Sequence, residues 1–316
     1  MIRQQVKWII LCLFLFITSN EILQADTSIA ILLSDTLTST QRTLHGAKKV
    51  ITGSHENAAF YSFLLNQNPT EKQSLIDSLK VLKPEIILTI GSPATSFAKD
   101  NFNNTPIVFA GVINPVLSGF VKSTTNSGEN ITGASLDIPT NIQFKYFKQI
   151  VPDMEKIGIL YTSNTASLIP SAKVVAQQMG MTLVAIEIKD NKDIPHALDS
   201  LDMTVEGIWS VADPDLFDPQ STRYILLNTI RKSIPFMGFS KYVVESGALF
   251  ALDFDYKAVG FQAGEMVNKI LSGTKPSEIR VSTVDVIWFH YNEKTAKHIN
   301  VTIPEDLVMI AKEVYR

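Results

Sequence analysis

The sequence predicts an α/β protein built as two lobes of like topology, each around a mainly parallel sheet, and three observations predict it. Its 316 residues are about twice the length of an ordinary domain. Short runs rich in Ile and Val alternate with polar stretches of helical character, the pattern of βα units. Three of those runs recur in the same order in the second half.

Composition narrows the class. With 45% hydrophobic and 19% charged residues and a net charge of -3, the chain has the material for a buried core, and disorder is excluded as its dominant state. No basic excess appears on the whole chain or in a stripe, which excludes a nucleic-acid binder. The single cysteine, Cys12, excludes a disulfide framework and any CxxC metal site.

The first segment reads as an export signal. Arg3 and Lys7 give a positive start, residues 8–17 form an apolar run, and Leu23-Gln24-Ala25 offers a cleavage site, so cleavage after Ala25 is expected. The apolar run is about half of the roughly 20 residues that cross a bilayer. Cys12 lies within that run without the small residues of a lipidation site. Loss of residues 1–25 removes Arg3, Lys7 and Glu21, leaving a slightly more acidic, cysteine-free body with nothing to draw it onto an anionic membrane.

In that body the apolar runs are 28–33, 85–90, 106–110, 156–161, 182–188, 207–211, 235–239 and 248–253, each apolar nearly throughout, as strands covered on both faces should be. Ile29-Ala30-Ile31-Leu32 matches Ile157-Gly158-Ile159-Leu160, PEIILTIGSP (84–93) lies over VEGIWSVADP (205–214), and TPIVFAG matches IPFMGFS with Pro106 over Pro235. The lobe boundary is expected at 130–135, after the Ser/Thr/Gly/Asn-rich stretch 123–130. A helix should follow, with Pro139 near its first turn and Phe144, Phe147 and Ile150 at helical spacing. A later helix over 256–271 should stop at Ser272-Gly273.

Ligands of open parallel sheets sit beyond the carboxyl ends of the strands, so the residues after each run are the candidates. Ser34 follows the first run and Gly91-Ser92-Pro93-Ala94-Thr95 the second. With Ser92 as N-cap and Pro93 at the first helical position, the free N–H groups of that turn can hold a carboxylate or phosphate; equally, the turn can simply start a helix. Asp213 occupies the position of Ser92 in the repeat, so a zwitterion would fit between them, unless Asp213 only caps a helix beginning near Pro214. Tyr161, Phe217, Phe239 and Tyr242 either wall an apolar pocket or belong to the core. GxxxxGK[ST], strand-linked GxGxxG, HExxH and GxSxG are missing, and the five His residues are scattered without ligand spacing and are expected to be solvated.

Read in order, the GSPAT loop after IILTI, PIVFAGVINP, NITGASLD, KIGILYTSN, PFMGFSKYVVESGALFALDFDYKAVGFQAGEMVNKILSG and NEKTAKHINVTIPEDLVMIA resemble the ABC-transporter substrate-binding proteins of the tryptophan- and tyrosine-binding type, across nearly the whole body. The resemblance implies a type I periplasmic-binding fold, two Rossmann-like lobes with parallel sheets joined by a three-crossover hinge. It implies that Ser92, Ala94, Thr95, Val112 and Asn114 hold a ligand's carboxylate, that Asn164 and Asp213 approach from the second lobe, and that Asp255 stands where the chain crosses back; Ser34 and Tyr242 complete the candidate set. Asn114 stands where many members carry Asp.

The expected organisation is a leader over 1–25, a first lobe over 26–135 plus about 256–285, and a second over 136–255 plus about 286–316. The expected function is a monomeric periplasmic protein, not an enzyme and without cofactor or metal, that captures a small amino acid or related carboxylate and delivers it to the membrane permease of an ABC transporter. The alternative is a sensory module that reports its ligand to a membrane histidine kinase or chemoreceptor.

Overall fold

A computed structural model describes residues 27–66 and 68–316, so the expected leader lies outside the described residues. Two sheets carry the fold. The first is wholly parallel, in the order β2 (Ala58–Leu64), β1 (Thr27–Leu33), β3 (Ile86–Ile90), β4 (Ile107–Val112), β5 (Ile131–Ser135). Strand alternation sorts its side chains. Ile29, Ile31 and Leu33 pack with Ile86, Leu88 and Ile90 under α1 (Thr38–Ser54), while Ala30, Leu32 and Ile87 meet α2 (Pro69–Leu82) and α3 (Ser92–Asn101) on the other face.

The second sheet follows α4 (Thr140–Ile150). Its order is β12 (Ala311–Tyr315), β11 (Ile287–Asn292), β10 (Phe250–Phe254), β9 (Phe236–Gly238), β8 (Gly207–Trp209), β6 (Lys156–Tyr161), β7 (Thr182–Glu187), parallel except where β10 meets β11. On one face Phe144 and Phe147 of α4 and Ala172 and Ala176 of α5 (Ile169–Gln178) cover Ile157, Ile159, Trp209 and Phe250. On the other, α6 (Ile194–Asp202), α7 (Pro219–Arg231) and α8 (Lys241–Glu245) cover Leu160, Ile208, Phe236 and Ala251.

The long helix α9 (Tyr256–Leu271) leaves the second sheet and packs on the first, beside α1. The two helices approach so closely because glycines face each other. A Cβ on Gly260 would overlap the Thr43 carbonyl oxygen, and one on Gly46 the Lys257 carbonyl oxygen. After α9 the chain still belongs to the first sheet, where Ser282 N donates to Gly133 O (3.0 Å) and Ser282 O accepts from Ser135 N (2.9 Å). Then it enters β11, α10 (Glu293–His298), α11 (Glu305–Ile310) and β12. The chain therefore passes between the sheets at 136–139, at Asp255 and at 283–286.

The structure corrects the sequence reading in four places. The boundary expected near 130–135 lies just after that stretch, at 136–139, because 131–135 form β5, with Ile131, Thr132, Ala134 and Ser135 buried in register with β4. The N-cap of α3 is Gly91, at φ +91°, with Ser92 as its first residue. No helix begins near Pro214: α7 starts at Pro219, where Asp218 caps it by accepting from Gln220 N (2.7 Å) and Ser221 N (2.8 Å). His290 is not solvated but fully buried on β11, its Nδ1 3.7 Å from Glu313 Oε2, and burial holds its imidazole below the ordinary pKa. No described helix is long and apolar enough to cross a membrane.

Candidate functional site

Between the sheets, against the first crossover, lies a cavity of about 440 Å³. Ile113 and Asn114 reach it from the end of β4, Leu136 to Thr140 and Gln143 line it from the crossover and α4, and Trp209, Met237, Phe239, Leu252 and Phe254 close it from the second lobe. Most of this wall is apolar and aromatic. Asp137 is the one ionisable side chain among the described residues that line it.

Asp137 is held in place by the backbone around it. Asn114 N donates to both carboxylate oxygens, at 3.0 and 3.2 Å, and Asp137 N donates to Ser135 Oγ (3.2 Å). Aiming its N–H in this way puts Asn114 at φ +48°, a conformation that Asn tolerates better than most residues. Burial pushes the Asp137 carboxyl above the usual carboxylate range, outweighing the lowering effects of the Asn114 N–H and Ser135. An ionised carboxylate in such a place gains from meeting a cation.

One residue further, the crossover is tied to the cavity's aromatic wall. Gln143 Nε2 donates to Ile138 O and Gln143 Oε1 accepts from Trp209 Nε1, both at 2.7 Å. Phe144 meets the Trp209 ring edge-on at a centroid distance of 5.0 Å. With its N–H occupied and its ring packed in the core at 1% exposure, the indole is a fixed part of the cavity wall.

The candidates read from the sequence fall into separate groups. Asn114 and, of the aromatic candidates, Phe239 line the cavity. Ser34, Ser92, Ala94 and Thr95 come together in one turn at the ends of β1 and β3, where Ala94 N donates to Ser34 Oγ (3.0 Å). Gly91 is required there, because a Cβ would lie 2.6 Å from Ser34 Oγ. Thr95 is fully buried and its hydroxyl donates to Gly91 O (2.9 Å), with Thr89 Oγ1 also 2.9 Å away. Val112 is core. Tyr242 is 68% exposed, beneath the Lys241 ammonium. Asp255 caps α9 through Lys257 N (2.9 Å) and pairs with Arg42 (3.0 Å).

Asn164 and Asp213 lie in the linked turns that follow β6 and β8 and share Thr162 and Asp215 as partners. Asp213 Oδ2 accepts from Thr162 N (3.1 Å), Thr162 Oγ1 (2.8 Å) and Thr165 Oγ1 (2.7 Å), and Oδ1 accepts from Asp215 N (3.2 Å). Asn164 Nδ2 donates to Asp215 Oδ2 (2.7 Å). Burial would raise the Asp213 pKa, but the bonds from Thr165, Thr162 and Asp215 together hold it below the usual range. Such a group stabilises the fold above its unfolded pKa and loses that contribution as pH falls through the lower folded value. Asp213→Ala should therefore cost about 2 to 3 kcal/mol of stability at neutral pH, through the loss of charged hydrogen bonds, and the gap to the parent should narrow in acid. Chemical denaturation at several pH values measures this; a constant gap would contradict it.

The sequence does not single out Asp137, Gln143 or Trp209. A signal for Asp137 existed, since it lies just past a strand end, but ITGAS is rich in Gly, Thr and Ser and does not read as a strand. Gln143 and Trp209 carry no local signal, because their pairing joins residues 66 positions apart.

Comparison with known proteins bears on the family and the fold. The family model described as ABC transporter substrate binding protein matches residues 55–315. A tyrosine-binding protein of Clostridioides difficile is 26% identical over 238 residues, 74% of this chain and 68% of its own. Among solved structures, a ligand-free, open substrate-binding protein with adhesive properties from Clostridium difficile superposes with a TM-score of 0.76 at 22% identity, covering 92% of this chain and 99% of that one. An ABC domain from Streptococcus pneumonia in complex with L-Trp gives 0.62 at 20% identity, covering 91% and 99%.

Proposed function

The chain belongs to the ABC transporter substrate-binding protein family, and from that premise we propose that it captures a small amino-acid-like solute in the cavity between its lobes and hands it to a membrane permease. The observation that carries this reading is Asp137, a half-buried carboxylate set in an otherwise uncharged wall that includes Trp209, Phe239 and Phe254. The carboxylate receives the solute's ammonium and the aromatic wall its apolar part. Relatives described as tyrosine-binding and as complexed with L-Trp support an amino acid as the solute. Capture and release require no covalent step, and the expected place of work is the periplasm.

The placement of the groups supports closure. Asn114 belongs to the first lobe, Asp137 to the crossover, and Trp209 to the second lobe, so a ligand touching all three is held best when the lobes come together. Binding stabilises the closed form by as much as the ligand prefers it. On closing, the turn at Ser34 and Ser92 and the one at Asn164 and Asp213 approach the ligand from opposite sides. Solution scattering with and without saturating tyrosine or tryptophan tests this: the radius of gyration should fall, and an unchanged value at saturation would overturn closure.

Affinity should also depend on pH in a definite direction. The ammonium needs Asp137 ionised, and protonation of the free protein competes with binding. Affinity should fall as pH drops through the raised pKa of Asp137, with a proton released on binding there. Calorimetry in buffers of different ionisation enthalpy reads both effects.

A further inference from the structure

We propose that the site takes organic ammonium compounds with an apolar body as a class, and that the carboxylate of an amino acid is dispensable to it. This rests on the cavity being the ligand site, as proposed above, and asks which end of the solute the site reads.

The wall supplies a partner for one charge only. Asp137 is its single ionisable group, and no Lys, Arg or His stands among the described residues that line it. A solute carboxylate inside the same 440 Å³ would face the Asp137 carboxylate without a cation to offset the repulsion. The cations at the neighbouring strand ends and crossovers are engaged elsewhere: Arg42 with Asp255 at 3.0 Å, Lys241 with Glu313 at 3.1 Å, and Lys312 over the Trp288 ring at 4.7 Å.

The partners left for a carboxylate are neutral: the side chains of Asn114 and Thr140 on the wall, and the turn at Gly91 to Thr95, most of whose backbone donors are spent. Ala94 N donates to Ser34 Oγ (3.0 Å), Thr95 N and Thr95 Oγ1 both donate to Gly91 O (3.2 and 2.9 Å), and Pro93 has no N–H. Ser92 is left, with its N–H and its hydroxyl, together with the Ser34 O–H, since Ser34 Oγ only accepts in its bond with Ala94 N. These neutral donors gain far less than an ion pair in a desolvated cavity does. The aromatic end, by contrast, has the half-buried rings of Phe239 and Phe254 to lie against. The geometry thus selects an aryl-alkyl ammonium, of which the aromatic amino acids are one subset.

Calorimetry at pH 7.5 with two matched sets decides the matter: tryptophan, tryptamine and indole-3-propionate, and tyrosine, tyramine and 3-(4-hydroxyphenyl)propionate. In at least one set the amine should bind within about tenfold of the amino acid, while the acid is weaker than the amine by about a hundredfold or more. Asp137→Asn should abolish amine binding in a protein whose circular dichroism matches the parent. An amine more than about tenfold weaker than its amino acid in both sets, or an acid as tight as the amine, would overturn the inference while leaving the capture of amino acids standing. If neither amino acid nor amine of either set binds, the reading of the cavity falls and the inference falls with it.

Discussion

Asp137→Asn should weaken tryptophan or tyrosine binding by about a hundredfold or more, the counterpart of the 2 to 5 kcal/mol lost when one member of a buried charged pair is removed. The substitution is nearly isosteric, and its Oδ1 can still accept from Asn114 N, so the turn that places Asn114 should persist. Because burial destabilises the Asp137 carboxylate, the free protein should be no less stable than the parent and should melt at the same temperature or slightly higher. Calorimetry beside a thermal melt separates the two quantities. Parent-like affinity in the variant would mean that the ammonium lies elsewhere.

The second large effect is on the fold. Gly260→Ala should destabilise the protein by about 3 kcal/mol and lower its melting temperature by roughly 5 to 10 °C, because the new methyl group would overlap the Thr43 carbonyl oxygen and stand 2.9 Å from Ala47 N. Both obstacles are backbone of α1, so no side-chain rotation relieves them. The helices must separate, which loosens α9, the element that returns the chain to the first sheet. Gly53→Ala in α1 is the control: nothing lies within 4 Å of its Cβ, and a helical alanine should leave stability equal or raise it by about 0.5 to 1 kcal/mol. Equal melting temperatures for Gly260→Ala and the parent would refute the close contact.

The same helix shows how far the sequence reaches. The bounds of α9 were readable because its apolar residues recur with helical period, Asp255 precedes it and Ser272-Gly273 ends it, all of them local signals. The strands of the first sheet were readable where they are continuous in Ile, Val and Leu, as in β1 and β3. At β5 the signal failed. Gly133 fits there because a Cβ would overlap the Phe109 carbonyl oxygen, a contact made by a strand far enough along the chain that no local pattern reports it.

The candidate site divides along the same line. That ligand-bearing residues follow strand ends is a property of parallel sheets, and it led to Ser34, Ser92 and Asn114 without coordinates. Which of those turns keep free donors was decided by tertiary contacts: Ser34 occupies the Ala94 N–H, and Thr162 and Thr165 occupy Asp213. Sequence alone determined the two-lobed α/β plan and its exclusions, since periodicity, turn residues and composition are written along the chain. Tertiary structure decided that Asp137, Gln143 and Trp209 share one cavity, because burial and hydrogen bonding between distant segments exist only once the lobes have folded around the crossovers.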